Sequence, residues 1–282
     1  MKRLLFGSVA FAALFSGSSV WAADLAVAPF NKALPPVVSD WTGPYLGIAL
    51  GAKAAAATWT TTSTSDLPGT IIDASSPSHF NPAGVRAGGY AGYNWQNQAW
   101  VYGVEFDVAY ANSAVTHAGI PGCAISCFPG AVGPGVDLAS VKMGWDASAR
   151  ARLGYLVTAN LLLYGTGGVA WQAVRTSGLC QHSLADPQCT HADGDPLDFR
   201  TNGKTLTGWT IGGGFESKIY GNWLLRGEYR YAQFGSFSGL LDFGSTGAPP
   251  GSDFSRYNLS LNTHIATFGV AYKFGGPVIA RY

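Results

Sequence analysis

The stretch from Asn222 to Phe234, NWLLRGEYRYAQF, alternates between two kinds of side chain at every second residue. One set comprises Trp223, Leu225, Gly227, Tyr229 and Tyr231. The other comprises Asn222, Leu224, Arg226, Glu228 and Arg230. A period of two predicts a β-strand whose faces meet different surroundings. Because a soluble strand with its charges in water gives the same pattern, the rest of the chain must identify those surroundings.

Strand-like segments of this kind recur along the chain, and their connections alternate between long and short. The eight segments are Tyr45–Lys53, Val85–Trp95, Ala99–Tyr110, Met143–Val157, Leu161–Arg175, Thr205–Ile219, Trp223–Phe234 and Leu261–Phe274. The stretch Ala54–Pro82 is the first predicted long loop, and Gln96, Ala159 and Gly221 mark the short turns. Barrels of the bacterial outer membrane have an even number of antiparallel strands, short periplasmic turns and long external loops. We therefore predict an all-β fold, an eight-stranded antiparallel transmembrane up-and-down β-barrel.

The two faces of these segments predict an apolar wall towards lipid and a polar lumen. In the third segment Trp100 and Phe106 share one face, whereas Glu105 and Asp107 share the other. The interior of an eight-stranded barrel is just wide enough for side chains, and unpaired buried charges are costly, so the inward charges should pair. The predicted lumen ion-pair network comprises Glu105, Asp107, Arg150, Arg152, Glu216, Arg226, Glu228 and Arg230. In this network we expect Glu216 beside Arg226 and Glu228 between Arg226 and Arg230. The fifth segment leaves its register open, because Leu and Gly occur on both of its faces.

Aromatic residues gather at two levels of the predicted barrel. Those next to the short turns are Trp95, Trp100, Trp223, Tyr272 and Phe274. Those towards the long loops are Tyr110, Trp145, Trp171 and Tyr231. Two aromatic belts are expected where a membrane barrel crosses the two interfaces.

The N-terminus has the features of an export signal. Lys2 and Arg3 precede a short apolar run, and Val20 and Ala22 fit a small-residue cleavage site before Ala23. We predict a signal peptide at 1–22, a periplasmic leader at 23–40 and the barrel at 41–282. Charged residues make up 12% of the chain, well below the usual share of about 25%. The net charge of +1 and the absence of a basic run argue against nucleic acid as a partner.

Four cysteines, Cys123, Cys127, Cys180 and Cys189, lie in two of the predicted external loops. In an exported protein an even cysteine count favours disulfides, and proximity in sequence favours pairing within each loop. The alternative is a metal set in which Cys180 and Cys189 act with His182 and His191, although exposed thiolates tend to oxidise in that compartment. We predict no metal and no cofactor.

The motifs DWTGPYLG, AGGYAGYNWQ, LLLYGTGGVAW and the ending VAYKFGGPVIARY together resemble a known family. It is the family of small alphaproteobacterial outer-membrane β-barrel surface proteins, similar to opacity porins and to the OmpA membrane domain. The resemblance covers almost all of the predicted mature chain except the long loops. It implies eight-stranded barrels that are surface antigens, contribute to envelope integrity and have no enzymatic activity. It also implies that the aromatic C-terminal residues Tyr272, Phe274 and Tyr282 form the signal read by the outer-membrane insertion machinery.

The predicted function is that of a structural outer-membrane surface protein in the bacterial cell envelope. Outer-membrane lipid and, during assembly, the insertion machinery are the predicted partners, and the oligomeric state is left open. A narrow porin passing small solutes is the first alternative. A lipid hydrolase at the barrel rim is the second, and His264 is the one histidine well inside a predicted strand.

Overall fold

The computed structural model describes residues 40–64, 72–122, 137–181, 197–243 and 254–275. The predicted signal peptide and almost all of the predicted leader lie outside the described residues. The strands are β1 (Gly43–Thr64), β2 (Ser78–Phe80), β3 (Ala83–Asn97), β4 (Trp100–Ala118), β5 (Leu138–Thr158), β6 (Leu161–Gln181), β7 (Leu197–Tyr220), β8 (Trp223–Asp242) and β9 (Phe254–Lys273). Among the residues described, no helix is long and apolar enough to cross a membrane.

Eight of these strands close into one antiparallel ring. Strands β3 to β9 pair in chain order, and β1 pairs with β3 on one side and with β9 on the other. The short β2 continues the edge of β3 along β1, with Phe80 opposite Ala57. A closed ring pairs its backbone groups between strands and leaves no open edge, which is what a β-structure needs inside a bilayer. The predicted eight-stranded antiparallel barrel is confirmed.

The wall strands extend further towards the long connections than the sequence pattern indicates. Strand β1 continues to Thr64 instead of ending at Lys53, so the loop predicted from Ala54 was wrong over its first part. The cause is an inversion of polarity that is clearest in β9. In β9 the outward side chain of Phe268 is exposed near the middle of the wall, whereas further along Leu259 is buried inside and Ser260 faces out. Beyond the bilayer the outer face meets water, so the apolar residues change faces.

The barrel interior has three layers, and the polar lumen predicted from the sequence corresponds to the middle one. Towards the long connections lies an apolar cluster that includes Trp59, Met143, Phe234, Tyr257 and Leu259. Towards the short turns lies a smaller cluster that includes Trp41, Val101, Leu162, Leu224 and Ala271. Charged side chains occupy the level between them. We call the cluster towards the long connections the upper cluster. It lines the part of the strands that extends beyond the predicted segments, where the wall packs inward like an ordinary soluble sheet.

The outer wall is apolar at the level of the charged side chains. Ile48 is 73% exposed and Phe106 is 61% exposed, both on the outward face. Strand β6, whose register the sequence left open, buries Leu162 and exposes Leu163. The aromatic belt near the short turns is made of packed pairs, with 5.3 Å between the ring centroids of Trp223 and Tyr272. This surface is suited to a hydrocarbon environment with an interfacial rim.

Candidate functional site

Eleven charged side chains cross the middle of the barrel, and we call them the charged layer. Its basic members are Lys53, Arg86, Arg150, Arg152, Arg226 and Arg230. Its acidic members are Glu105, Asp107, Asp146, Glu216 and Glu228. None of these side chains is more than 6% exposed. Charges buried to this degree require partners, because each unpaired one would cost several kcal/mol.

Glu105, on β4, is the centre of the half of the layer nearer the short turns. Arg226 reaches it from the far wall with two parallel hydrogen bonds, Nη1 to Oε2 at 2.6 Å and Nη2 to Oε1 at 2.8 Å. Arg150, directly opposite Glu105 in the β4–β5 ladder, donates to Oε1. The hydroxyl of Tyr45 donates to Oε2 at 2.7 Å. Paired guanidinium–carboxylate bonds of this kind fix geometry as well as charge.

Glu216 on β7 lies beside two arginines. Arg152 Nη2 is 2.9 Å from Glu216 Oε2. Arg226 is the residue directly opposite Glu216 in the β7–β8 ladder, and its Nε lies 3.9 Å from Glu216 Oε1. The structure therefore places Glu216 beside Arg226, as expected from the turn, but its shorter contact is with Arg152. The guanidinium of Arg152 also lies over the ring of Tyr164, 4.2 Å from the centroid, which adds a cation–π contact.

Glu228 on β8 connects the strands on opposite sides of the lumen. It accepts a hydrogen bond from Arg150 Nη1 at 2.8 Å and one from the hydroxyl of Tyr164 at 3.0 Å. Arg226, two residues away on the same strand, also donates to it. We expected Arg230 on the other side of Glu228. It pairs instead with Asp107, in the half of the layer nearer the long connections. Glu228 is already held by two arginines and a tyrosine, so its oxygens have other donors.

Asp107 and Asp146 anchor the half of the layer nearer the long connections. Arg230 places Nη1 2.6 Å and Nη2 3.2 Å from the two oxygens of Asp107. Arg86 bridges the two carboxylates, since it donates to Asp107 and also to Asp146 Oδ1 at 2.6 Å. Lys53 Nζ donates to Asp146 Oδ2 at 2.8 Å. The two halves are joined through Arg150, which lies 3.7 Å from Asp107.

The structure brings all eight residues of the predicted network into the charged layer and adds three more. Asp146 shares the inward face of β5 with Arg150 and Arg152, so strand parity alone could have included it. Lys53 ended a predicted strand, and its inward position becomes evident only when that strand continues. Arg86 gave a weaker signal, because β3 is rich in Gly and Ala and its two faces differ little in polarity.

The described residues leave little free space around the charged layer. Two cavities next to it have volumes of about 20 Å³ and about 10 Å³. A space of about 10–15 Å³ holds one water molecule. Tyrosine rings fill the remaining width, as where the guanidinium of Arg226 lies 4.4 Å from the ring centroid of Tyr90. These spaces accommodate single waters next to the charged groups.

The residues that precede β1 close the mouth nearer the short turns. The indole of Trp41 is fully buried, and its Nε1 donates to the carbonyl of Ala159 at 3.3 Å. Its backbone N–H donates to the side-chain oxygen of Gln96 at 2.7 Å. Lys218 Nζ donates to the carbonyl of Asp40 at 2.9 Å and lies 4.8 Å from the centre of the Trp41 ring. Trp41 is therefore a plug that is tied to the end of β3 and to the turn at 159–160.

Some of the other candidate residues lie on the outer wall, and the rest lie outside the described residues. Cys123, Cys127, Cys189 and Tyr282 lie outside the described residues, as do His182 and His191, so their roles stay predictions. Cys180 pairs with Asp198 in the β6–β7 ladder. His264 faces outward, with its Nδ1 2.7 Å from the hydroxyl of Tyr229. Tyr272 and Phe274 are also outward, with ring centroids 5.1 Å apart.

A closed eight-stranded ring with an apolar wall, aromatic belts and a charged interior defines a transmembrane β-barrel of the outer-membrane class. The sequence profile of the outer membrane protein beta-barrel domain matches residues 10–274, and the chain belongs to this family. The protein is located in the bacterial outer membrane.

Several proteins resemble this chain along much of its length. The 31 kDa outer-membrane immunogenic protein of Brucella melitensis biotype 1 is 32% identical over 286 residues, covering 97% of this chain and 100% of the relative. The 22 kDa outer membrane protein of Rhizobium leguminosarum bv. viciae is 32% identical over 55% of this chain and 56% of its own length. The crystal structure of the outer membrane protein OprG from Pseudomonas aeruginosa aligns with 85% of this chain and 100% of that chain, at 12% identity and a TM-score of 0.48.

Proposed function

We propose that this outer-membrane barrel is a closed structural component of the cell envelope, without steady solute passage and without enzymatic turnover. The observation that carries the proposal is the charged layer, in which eleven side chains, each at most 6% exposed, meet across the lumen. Apolar clusters cover this layer on both sides. A barrel with such an interior supports the membrane as a rigid wall element.

The same geometry weighs against the porin alternative. A porin needs a continuous water-filled channel lined by polar groups. The cavities next to the charged layer hold about one water each, and the buried indole of Trp41 occupies the mouth nearer the short turns. Opening a path would require several ion pairs to separate at once, which leaves buried charges without partners.

The hydrolase alternative has no supporting site in the described part of the barrel wall. A hydrolytic triad needs a nucleophile, a histidine and an orienting carboxylate within hydrogen-bond reach. The described partner of His264 is the hydroxyl of Tyr229, and both side chains face outward. In the ladder His264 lies opposite Tyr231, and their rings pack edge to face. We assign this group to the aromatic belt towards the long connections.

The orientation and partners of the barrel form part of the proposal. We place the long connections outside the cell and the short turns in the periplasm, as the loop lengths of outer-membrane barrels favour. The name of the Brucella relative describes that protein as immunogenic, which supports surface display here. We propose that Tyr272, Phe274 and Tyr282 are recognised by the insertion machinery and that the apolar wall contacts outer-membrane lipid.

Deletion of the encoding gene tests the structural role. The deletion strain should release periplasmic enzymes and become sensitive to deoxycholate, and the wild-type protein should restore both properties. As a matched control, the conservative outward substitution Ile48→Val should restore them equally well, because it leaves the interior unchanged. A deletion strain with normal enzyme retention and normal detergent resistance would refute the envelope role.

A further inference from the structure

Two basic side chains lie directly opposite each other on the outer face of the barrel, at its extracellular end in the proposed orientation. Lys142 on β5 and Arg175 on β6 are register partners, and both are exposed. Like charges directly opposite on a sheet repel each other. In the described part of the chain no carboxylate forms a salt bridge with either one, in contrast to the paired charges of the interior.

The surroundings of the pair are rich in hydroxyl groups and contain one further cation, Lys204, which lines the same groove. Ser140 and Ser177 lie opposite each other two residues further along the same strands. On β7, Thr201, Gly203 and Thr205 occupy the outward positions beside Arg175. These residues therefore offer the two opposed cations, a third cation beside them and several hydroxyl donors, and none of them is an acid. Such a set is suited to a ligand that carries both phosphate and sugar. Guanidinium and ammonium groups bind phosphate, and hydroxyl groups hydrogen-bond to phosphate or to sugar.

A groove leads from the basic pair down to the aromatic belt. It has a volume of about 420 Å³ and is lined by Lys142, Arg175, Tyr110 and Trp145 among others. Strand β5 has an extra residue against β6 between Met143 and Asp146, and β4 has one against β5 between Tyr110 and Ser113. Bulges bend a strand and increase its twist, which accounts for a depression in the wall at this level.

The height of the pair corresponds to that of a lipid headgroup. Arg175 lies four residues beyond Trp171 of the upper belt on the same outward face. At about 3.3 Å per residue and a tilt of about 40°, this places the backbone of Arg175 about 10 Å above the belt. Aromatic belts mark the boundary between hydrocarbon and headgroups. A ligand that contacts both the indole of Trp145 and the two cations therefore has an apolar part in the membrane and an anionic part above it.

We propose that this groove binds the phosphorylated headgroup of an outer-leaflet membrane glycolipid, with Lys142 and Arg175 contacting phosphate and Tyr110 and Trp145 contacting the start of the acyl region. The proposal depends on the orientation proposed above and adds a specific lipid site to the wall. Binding neutralises two cations that repel each other, so the ligand supplies the counter-charge that the described chain lacks.

The test uses the full barrel folded in neutral detergent, with diphosphoryl lipid A as the probe and native mass spectrometry as the readout. The double variant Lys142→Ala/Arg175→Ala should bind the probe at least about tenfold more weakly than wild type. Arg256→Ala is the matched control, because Arg256 is also exposed on the wall but on β9, on the opposite side of the ring. That control should change binding by less than about twofold. Binding in detergent does not depend on the orientation of the barrel, so failure here is distinguishable from failure of the envelope role.

Three outcomes overturn the proposal. Equal binding by wild type and the double variant shows that the basic pair is not the site. An equal loss in Arg256→Ala shows that general surface charge attracts the probe. Displacement of the lipid by millimolar inorganic phosphate shows a free-anion site rather than a lipid-headgroup site. Retention of the folded-barrel gel mobility in each variant confirms that the comparison is between folded proteins.

Discussion

At the residue scale, the charged layer is held by shared partners rather than by isolated ion pairs. Glu105 is contacted by Arg150, Arg226 and the hydroxyl of Tyr45, and both arginines also donate to Glu228. A buried ion pair often contributes little net stability, because desolvation offsets the attraction. Removing one partner is destabilising, because it leaves an uncompensated charge inside the barrel. The layer therefore fixes which side chains cross the lumen and keeps the interior closed, more than it adds free energy.

Glycines on the inner wall leave room for the tyrosine rings that contact the charged layer. A Cβ placed on Gly92 would lie 2.5 Å from the carbonyl oxygen of Val104 and would also contact the hydroxyl of Tyr45. Tyr45 is the residue that donates to Glu105. Gly92→Ala should therefore displace Tyr45 and lower the free energy of unfolding by about 1–3 kcal/mol. Urea titration of the barrel folded in vesicles measures this change.

Gly89 provides the control for that substitution on the same strand. Its nearest contact for an added Cβ is the carbonyl oxygen of Gly47 at 3.6 Å, an ordinary van der Waals distance. Gly89→Ala should leave the free energy of unfolding within about 0.5 kcal/mol of wild type. Equal urea midpoints for Gly92→Ala and Gly89→Ala would show that close packing of Tyr45 is not required.

At the element scale, the ring and its order could be predicted from the sequence, whereas the full length of the strands could not. The alternation of long and short connections identified eight strands and their antiparallel neighbours. Where the apolar residues change faces, as along β9, the predicted strand stopped short, because a rule that tracks one apolar face cannot follow an inversion. Bulges add to the difficulty, since one extra residue in β8 between Phe234 and Phe237 shifts the parity of everything after it.

The extended ends of the strands should behave as a unit separate from the membrane level. Trp59 is fully buried in the upper cluster and stacks on Tyr257 with 3.9 Å between ring centroids. Replacing a buried aromatic residue by Ala costs about 3–5 kcal/mol. Trp59→Ala should therefore reduce amide hydrogen-exchange protection at 254–261 of β9 and preserve it at 265–272. Exchange measured residue by residue by NMR in nanodiscs would show this difference.

Trp209 is the matched control, because it is half exposed on the outer wall and does not belong to the upper cluster. Trp209→Ala should leave protection at 254–261 unchanged. A uniform loss of protection along the whole of β9 in Trp59→Ala would contradict the division of the strand into two levels.

At the scale of the whole barrel, closure is repeated at three levels. Trp41 fills the mouth nearer the short turns, the charged layer crosses the middle, and the upper apolar cluster covers it towards the long connections. The sequence indicated the middle level because inward charges need partners. It did not indicate the plug at Trp41, which precedes the first strand and has no periodic pattern around it. An outer-membrane barrel closed in this way is suited to a structural role and not to transport.

Single-channel recording of the purified wild-type barrel in a planar lipid bilayer tests this closure most directly. The charged layer and its apolar covers should prevent a continuous water path, so we predict no stable conductance steps above the background of the bare bilayer. Long-lived, uniform channels in the wild-type protein would contradict the closed interior and would favour a narrow porin instead.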